Sequence, residues 1–239
     1  MTMRKASSVT WSEKMKLAEN LYAYVWKGDD NNCNTFIFAG VLKDKKHILI
    51  DPGHIITPYL HEHAYEMLNR EIGEDRLKTE DIGLVLLTHA HPDHVEAAKK
   101  FRESSQALIA LHKQDEYAYK MFGLGKIDLY LQEGELKLDN VVEDKIEIIS
   151  TPGHSPGEVS VYWPLKKALA VGDVIFFHNT GRVDLPGGDP GLLKSSIDKL
   201  SQLDIEYLLC GHPYEHPGVI QGKDAVKKNF EFVKMNIWF

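Results

Sequence analysis

The segment Leu84-Val85-Leu86-Leu87-Thr88-His89-Ala90-His91-Pro92-Asp93-His94 decides how the rest of the chain is read. Leu84 to Leu87 is a short, wholly apolar run, which predicts a buried strand. It passes directly into four metal-capable side chains within six residues: His89, His91, Asp93 and His94. A helix is expected to follow through Val95 to Phe101, with Asp93 at or near its start. A strand-to-helix loop lets such closely spaced side chains diverge toward two adjacent ions. His89 and His91 would take one ion, Asp93 and His94 the other.

The same logic recurs downstream. A strand over Lys145 to Ile149 leads into Thr151-Pro152-Gly153-His154-Ser155-Pro156-Gly157. Strands are also expected over Val159 to Trp163 and Ala168 to Val171, the second ending in Gly172-Asp173. Tyr207 to Cys210 ends in Gly211-His212. Each candidate ligand therefore stands just after a buried strand, where a rigid support feeds a loop that can converge with others on one sheet edge. His154 and His212 lie in Gly-His turns, and Asp173 is placed to bridge two ions. Neutral imidazoles with carboxylates suit zinc, iron or manganese better than calcium or magnesium. Two divalent ions are expected, zinc first among them. A purely structural site would close with four ligands, often cysteines, and no clustered cysteine is present. Cys210 reads as a small buried strand residue.

Outward from these motifs, Leu21 to Trp26, Thr35 to Leu42 and His47 to Ile50 read as strands, with Lys43 to Lys46 as a hairpin loop. Asp51-Pro52-Gly53 is a strand-end turn. A helix is predicted from about Pro58 to Ile72, which places His61 and His63 on its surface. Ala107 to Leu111 reads as a strand, and Gln114 to Met121, Gly191 to Leu203 and Ala225 to Met235 as helices. No repeat or linker divides the 239 residues, so one domain over 1–239 is expected. The net charge of −7 argues against a nucleic-acid partner. Two cysteines, Cys33 and Cys210, make no disulfide framework and fit a reducing compartment. The N-terminal stretch is polar, without the apolar core of a signal peptide, and no apolar run reaches membrane-spanning length. The expectation is a cytoplasmic protein acting on a small molecule, with no membrane partner. The apolar end Ile237-Trp238-Phe239 would dock on the domain or join a subunit interface, the latter giving a homodimer.

The HxHxDH segment, then Gly-His154, Gly-Asp173 and Gly-His212, resemble the metallo-β-lactamase superfamily in order and spacing, from about Asn34 to His212. The resemblance implies an αββα sandwich, with two mixed sheets packed face to face and helices outside. It implies one metal on His89, His91 and His154, a second on Asp93, His94 and His212, and Asp173 bridging. Asp51 matches the family's first motif and is given a mainly structural role. Two metals about 3.5–4 Å apart share a water and lower its pKa. By the resemblance, Asp93 is the catalytic residue that orients the resulting hydroxide and accepts its proton.

Within the superfamily, Gly181-Arg182-Val183-Asp184-Leu185-Pro186-Gly187-Gly188-Asp189 resembles the GRTDxPGG-type stretch of glyoxalase II-like proteins, with Val183 in place of threonine. That implies hydrolysis of a thioester or ester, hydroxyacylglutathione being the best-known family substrate. Only 27 residues follow His212, fewer than the helical domain that helps bind glutathione in glyoxalase II, so a smaller thioester or ester is expected equally. Asp at 173, where some β-lactamases of this fold place a cysteine, argues against antibiotic hydrolysis. Persulfide dioxygenases share the fold and the stretch but hold one iron; His91, His154 and Asp173 match their ligands and make a 2-His-1-carboxylate face. Lactonases and ribonucleases share the ligand set, but a ribonuclease would need a basic surface. Candidate substrate contacts are His178, Arg182 and Tyr214, with Arg182 and Asp184 alternatively pairing with each other. Tyr130, Phe176 and Phe177 read as core.

Overall fold

Strands such as Phe36-Ile37-Phe38 and Ile48-Leu49-Ile50 are apolar on both faces, which requires a sheet covered on both sides. The computed structural model describes residues 15–138 and 144–236. Most of the polar N-terminal stretch and all of Ile237-Trp238-Phe239 lie outside the described residues.

One sheet runs in spatial order β1 (Met15–Ala18), β2 (Leu21–Tyr24), β3 (Thr35–Phe38), β4 (His47–Ile50), β5 (Ile82–Leu86), β6 (Leu108–His112) and β7 (Leu129–Leu131). It is antiparallel from β1 to β4 and parallel from β4 to β7. The later part of the chain supplies β8 (Gly134–Glu135), β9 (Glu147–Ser150), β10 (Val159–Trp163), β11 (Ala168–Ala170), the small hairpin β12 (Ile175–Phe176) and β13 (Asn179–Thr180), then β14 (Tyr207–Leu209) and β15 (Val219–Gln221). The second large sheet has the order β15-β14-β11-β10-β9-β8, with β11 and β14 parallel.

Side chains alternate across a strand with period two, and this sorts the apolar residues into layers. Phe36, Phe38, Ile48, Ile50, Leu84 and Leu86 point inward and meet Ile148, Val159, Val161 and Trp163 of the other sheet. The rings of Phe38 and Trp163 lie 5.1 Å apart at the join. The interleaved Ile37, Leu49, Val85 and Leu87 point the opposite way. They pack on Leu68 and Ile72 of α1 (Ala64–Glu74), Val95 of α2 (Pro92–Val95), Phe101 of α3 (Ala98–Ser105) and Tyr119 of α4 (Glu116–Met121). Leu169 and Leu208 face outward on the second sheet, against Leu193, Ile197 and Leu200 of α5 (Pro190–Leu200) and Val226, Phe230 and Val233 of α6 (Lys223–Asn236). The architecture is therefore αββα. Each fully buried large side chain contributes about 1.5–3 kcal/mol, so three apolar layers hold the two sheets where the site needs them.

Two helices differ from the sequence reading. α1 begins at Ala64 rather than near Pro58, because His61 adopts φ 55°, a left-handed conformation that no helix continues through. His61 and His63 thus precede the helix, exposed, with His63 at the N-cap. The helix expected from Val95 to Phe101 is two pieces, α2 and α3. The Ala97 amide donates to the Gly53 carbonyl at 2.8 Å, and the Glu96 carboxylate turns to His54 Nδ1 at 2.7 Å. The backbone is thereby tied to the Asp51-Pro52-Gly53 turn instead of to its own preceding turn. No helix among the described residues is long and apolar enough to cross a membrane.

Candidate metal centre

The ends of β4, β5, β11 and β14 and the loop joining β9 to β10 carry Asp51, the His89–His94 segment, Asp173, His212 and His154 respectively. His91 is the N-cap of α2, Pro92 opens its first turn, and Asp93 and His94 follow on that turn. This single turn explains why four side chains so close in sequence face two directions.

Three groups of possible ligand atoms form, each within 4.8 Å: His89, His91 and His154; His89, His94 and Asp173; and Asp93, His94 and His212. Asp173 stands between the outer two. Its Oδ2 is 3.5 Å from His154 Nε2 and 3.4 Å from His212 Nε2, and its Oδ1 is 3.3 Å from His94 Nε2. His212 Nε2 is also 3.3 Å from Asp93 Oδ2. All seven candidate ligand residues named from the sequence thus lie together. His89, His94, His154, Asp173 and His212 are buried, and His91 and Asp93 are partly so.

The outer nitrogens of three rings are spoken for. His94 Nδ1 donates to Asp51 Oδ2 at 2.9 Å, and His154 Nδ1 to the Arg182 carbonyl at 2.7 Å. Thr88 Oγ1 donates to Asp51 Oδ2 at 2.6 Å and so accepts from His89 Nδ1 at 3.0 Å. Each ring therefore turns Nε2 inward, the atom that would meet a metal. The consequences are visible. His89 Nε2 and Asp173 Oδ1 are buried without a hydrogen-bond partner. His154 Nε2 faces His91 Nδ1 at 2.8 Å, and His94 Nε2 faces His212 Nε2 at 3.2 Å. Stranded buried polar atoms are costly, and a cation among these converging nitrogens and carboxylate oxygens would satisfy them, so the donor set fits divalent metal.

Electrostatics divide the ligands into two sets. Burial, then the charges of His94 and His91, hold the His89 imidazole well below its ordinary range. Burial, then His154 and His94, push His91 down to about 4. Burial opposes charge on Asp173 and Asp93, but the neighbouring His212 and His94 overcome it and hold both carboxyls well below the usual range. In return, and against burial, Asp173 and then Asp93 push His212 up to about 9, and Cys33, Asp173 and Asp51 hold His94 well above its ordinary range. Metal binds neutral imidazole and ionised carboxylate, so an ion held by His94 and His212 would displace their protons. Behind them, burial and then the Asp173 charge push the Glu158 carboxyl well up. Its Oε1 accepts from the Asp173 amide at 2.7 Å.

Asp51 accepts from the Thr88 amide and hydroxyl and from His94. Of the candidate substrate contacts, Tyr214 is exposed, with its ring 5.0 Å from Phe176 and 5.9 Å from His212. Arg182 turns its carbonyl to His154, while its exposed guanidinium makes two 2.9 Å bonds to Asp184. His178 is exposed at the tip of the β12–β13 hairpin, its ring stacked between Phe177 at 3.9 Å and Phe232 of α6 at 4.0 Å. Among the residues expected in the core, Phe176 is buried, Phe177 half-buried and Tyr130 exposed. Sequence reasoning missed Thr88, Glu158 and Asn31, whose side-chain amide donates to Asp93 Oδ2 at 2.7 Å. Glu158 had one signal: a carboxylate opening the apolar run of β10.

The family model of the metallo-β-lactamase superfamily matches residues 28–212. This chain belongs to that superfamily. The hydroxyacylglutathione hydrolase GloC of Haemophilus influenzae is 36% identical over 186 residues, 71% of this chain and 81% of that protein. A hydroxyacylglutathione hydrolase of Bartonella henselae is 35% identical over 131 residues, 54% of this chain and 48% of its own length. The crystal structure of TTHA1623 in a di-iron-bound form is 28% identical with a TM-score of 0.59, covering 80% of this chain and 92% of that one. The metallo-β-lactamase fold, a divalent-metal-dependent hydrolase family and glyoxalase II-like relatives are thereby established for the chain.

Proposed function

We propose that this metallo-β-lactamase-superfamily hydrolase cleaves a thioester, in the manner of a hydroxyacylglutathione hydrolase, with two divalent ions in its site. The observation that carries the reading is the pair of three-residue ligand groups, His89/His91/His154 and Asp93/His94/His212, flanking one carboxylate, Asp173. Zinc, iron and manganese all accept such a set. Two such ions would supply acidification of a water and polarisation of the thioester carbonyl.

The chain's own residues do the rest. Asp93 Oδ2, fixed by Asn31, receives the proton of the attacking water. The same proton is then passed to the departing thiolate, leaving a carboxylic acid and a thiol. Tyr214, exposed and backed by the buried Phe176 beside His212, offers an apolar ring face to the acyl or thiol arm. Arg182 offers a guanidinium to a substrate carboxylate when it exchanges Asp184 for the ligand.

The test is metal content per chain by elemental analysis, followed by thiol release from a 2-hydroxyacyl thioester of glutathione and from shorter thioesters. Two metal equivalents and thiol release that disappear together in His91→Ala support the proposal. One equivalent of iron with oxygen uptake on glutathione persulfide, and no thiol release, would replace it with the dioxygenase reading. Full metal content and activity in His91→Ala would remove the assigned ligand set.

A further inference from the structure

One buried acid has no place in that chemistry. Asp115 follows β6 at the end of a 3-10 turn, Lys113–Asp115, and is only 3% exposed. Its Oδ2 accepts from the Ala90 amide at 3.1 Å and from Ser155 Oγ at 2.7 Å, and its Oδ1 accepts from the Gly157 amide at 2.7 Å. Ala90 lies between His89 and His91, and Ser155 follows His154 directly. One carboxylate therefore clamps the two loops that carry His89, His91 and His154, and it does so from outside the ligand group.

Gly157 shows how close the clamp is. A Cβ there would fall 2.7 Å from Asp115 Oδ1 and 2.8 Å from Cγ. Only glycine lets the loop come down onto the acid, which accounts for the last residue of the Pro152–Gly157 turn. The other half of the centre is braced differently, by Asp51 on His94 and by Asn31 on Asp93.

We infer that Asp115 is a positioning residue that sets the geometry, and with it the affinity, of the His89/His91/His154 metal site alone. The inference rests on the two-ion reading above. A partner that orients a ligand typically governs metal affinity by about 10–100-fold, here exerted through the loops. Replacing it by asparagine keeps shape and burial. The carboxamide nitrogen, standing where Oδ2 was, can donate to Ser155 Oγ but leaves the Ala90 amide without an acceptor.

The experiment is stepwise zinc binding by the full chain, by competition with a chromophoric chelator, with Tm measured alongside. In Asp115→Asn one zinc equivalent should weaken by about 10–100-fold while the other keeps its affinity. The weakened equivalent should be the one that His91→Ala abolishes, so the double variant binds zinc as His91→Ala does. Ser155→Ala removes one of the three bonds with little risk to folding, and should weaken the same equivalent by about fivefold. Two equivalents bound as in the parent, with only Tm lowered, would make Asp115 merely structural and overturn the inference. Equal weakening of both equivalents, or weakening of the equivalent that His212→Ala abolishes, overturns it too. If the parent itself fails to bind two ions, the proposed function falls first, which keeps the two failures apart.

Discussion

Asp51 shows how much a single side chain carries at this site. It is 2% exposed, adopts φ 52°, and accepts three hydrogen bonds, two from Thr88 and one from His94. Removing it strands three buried donors and leaves alanine in a left-handed conformation. Asp51→Ala should therefore lose about 3 kcal/mol of stability, read as a lower denaturant midpoint. Asp51→Asn should lose less, because asparagine tolerates that backbone and keeps one acceptor; equal losses would show that the hydrogen bonds are not what Asp51 supplies. At this scale the seven candidate ligands were legible in the sequence, because metal-binding residue types clustered after apolar runs. The side chains that hold them were not. Thr88, Asn31 and Asp115 are ordinary polar residues whose partners lie 37, 62 and 25–42 positions away, and no local pattern marks such a contact.

Between elements, α5 comes very close to the His154 loop. A Cβ on Gly153 would sit 2.3 Å from the Leu193 backbone, and Gly153 has φ 146°. The Gly153 carbonyl also accepts the Asp189 amide at 2.7 Å, and the Asp189 side chain caps the helix through Leu192. Gly153→Ala must push α5 off the loop or move His154, at a cost of about 3 kcal/mol from overpacking and backbone strain. It should lower Tm and metal retention together; a drop in Tm with metal retained would mean that the helix gives way and the loop does not. Long elements were readable in advance: β5, β6, β10, α5 and α6 appear within two or three residues of their expected ends, since buried runs and helical spacing are local signals. The two-residue strands β8, β12 and β13 exist only through their pairing partners and carry no period to read. α1 was expected too early for the same kind of reason: apolar spacing says nothing of the left-handed turn at His61.

Across the whole molecule, the centre straddles both sheets. Asp51 and the His89–His94 segment hang from the first, and His154, Asp173 and His212 from the second. Polar bonds cross beside them: the Asn34 amide to the Gly211 carbonyl at 2.6 Å, Asn34 Nδ2 to the Cys210 and Pro217 carbonyls, the Val159 amide to the Thr88 carbonyl at 2.9 Å, and Ser155 Oγ and the Gly157 amide to Asp115. Metal held by ligands from both sheets therefore adds a cross-link at the open end of the sandwich, and binding free energy becomes folding free energy. A ligand at 1,000 times its Kd stabilises by about 4 kcal/mol, and in a chain of this size each kcal/mol moves Tm by about 2–4 °C. Stripping metal with a chelator should lower Tm by about 10 °C, and adding back two equivalents of zinc should restore it. His212→Ala, which leaves His89, His91 and His154 intact, should regain only part of that shift. Identical melting with and without metal would mean that the apolar layers alone fix the two sheets, and that the convergence of seven ligands adds nothing to the fold that presents them.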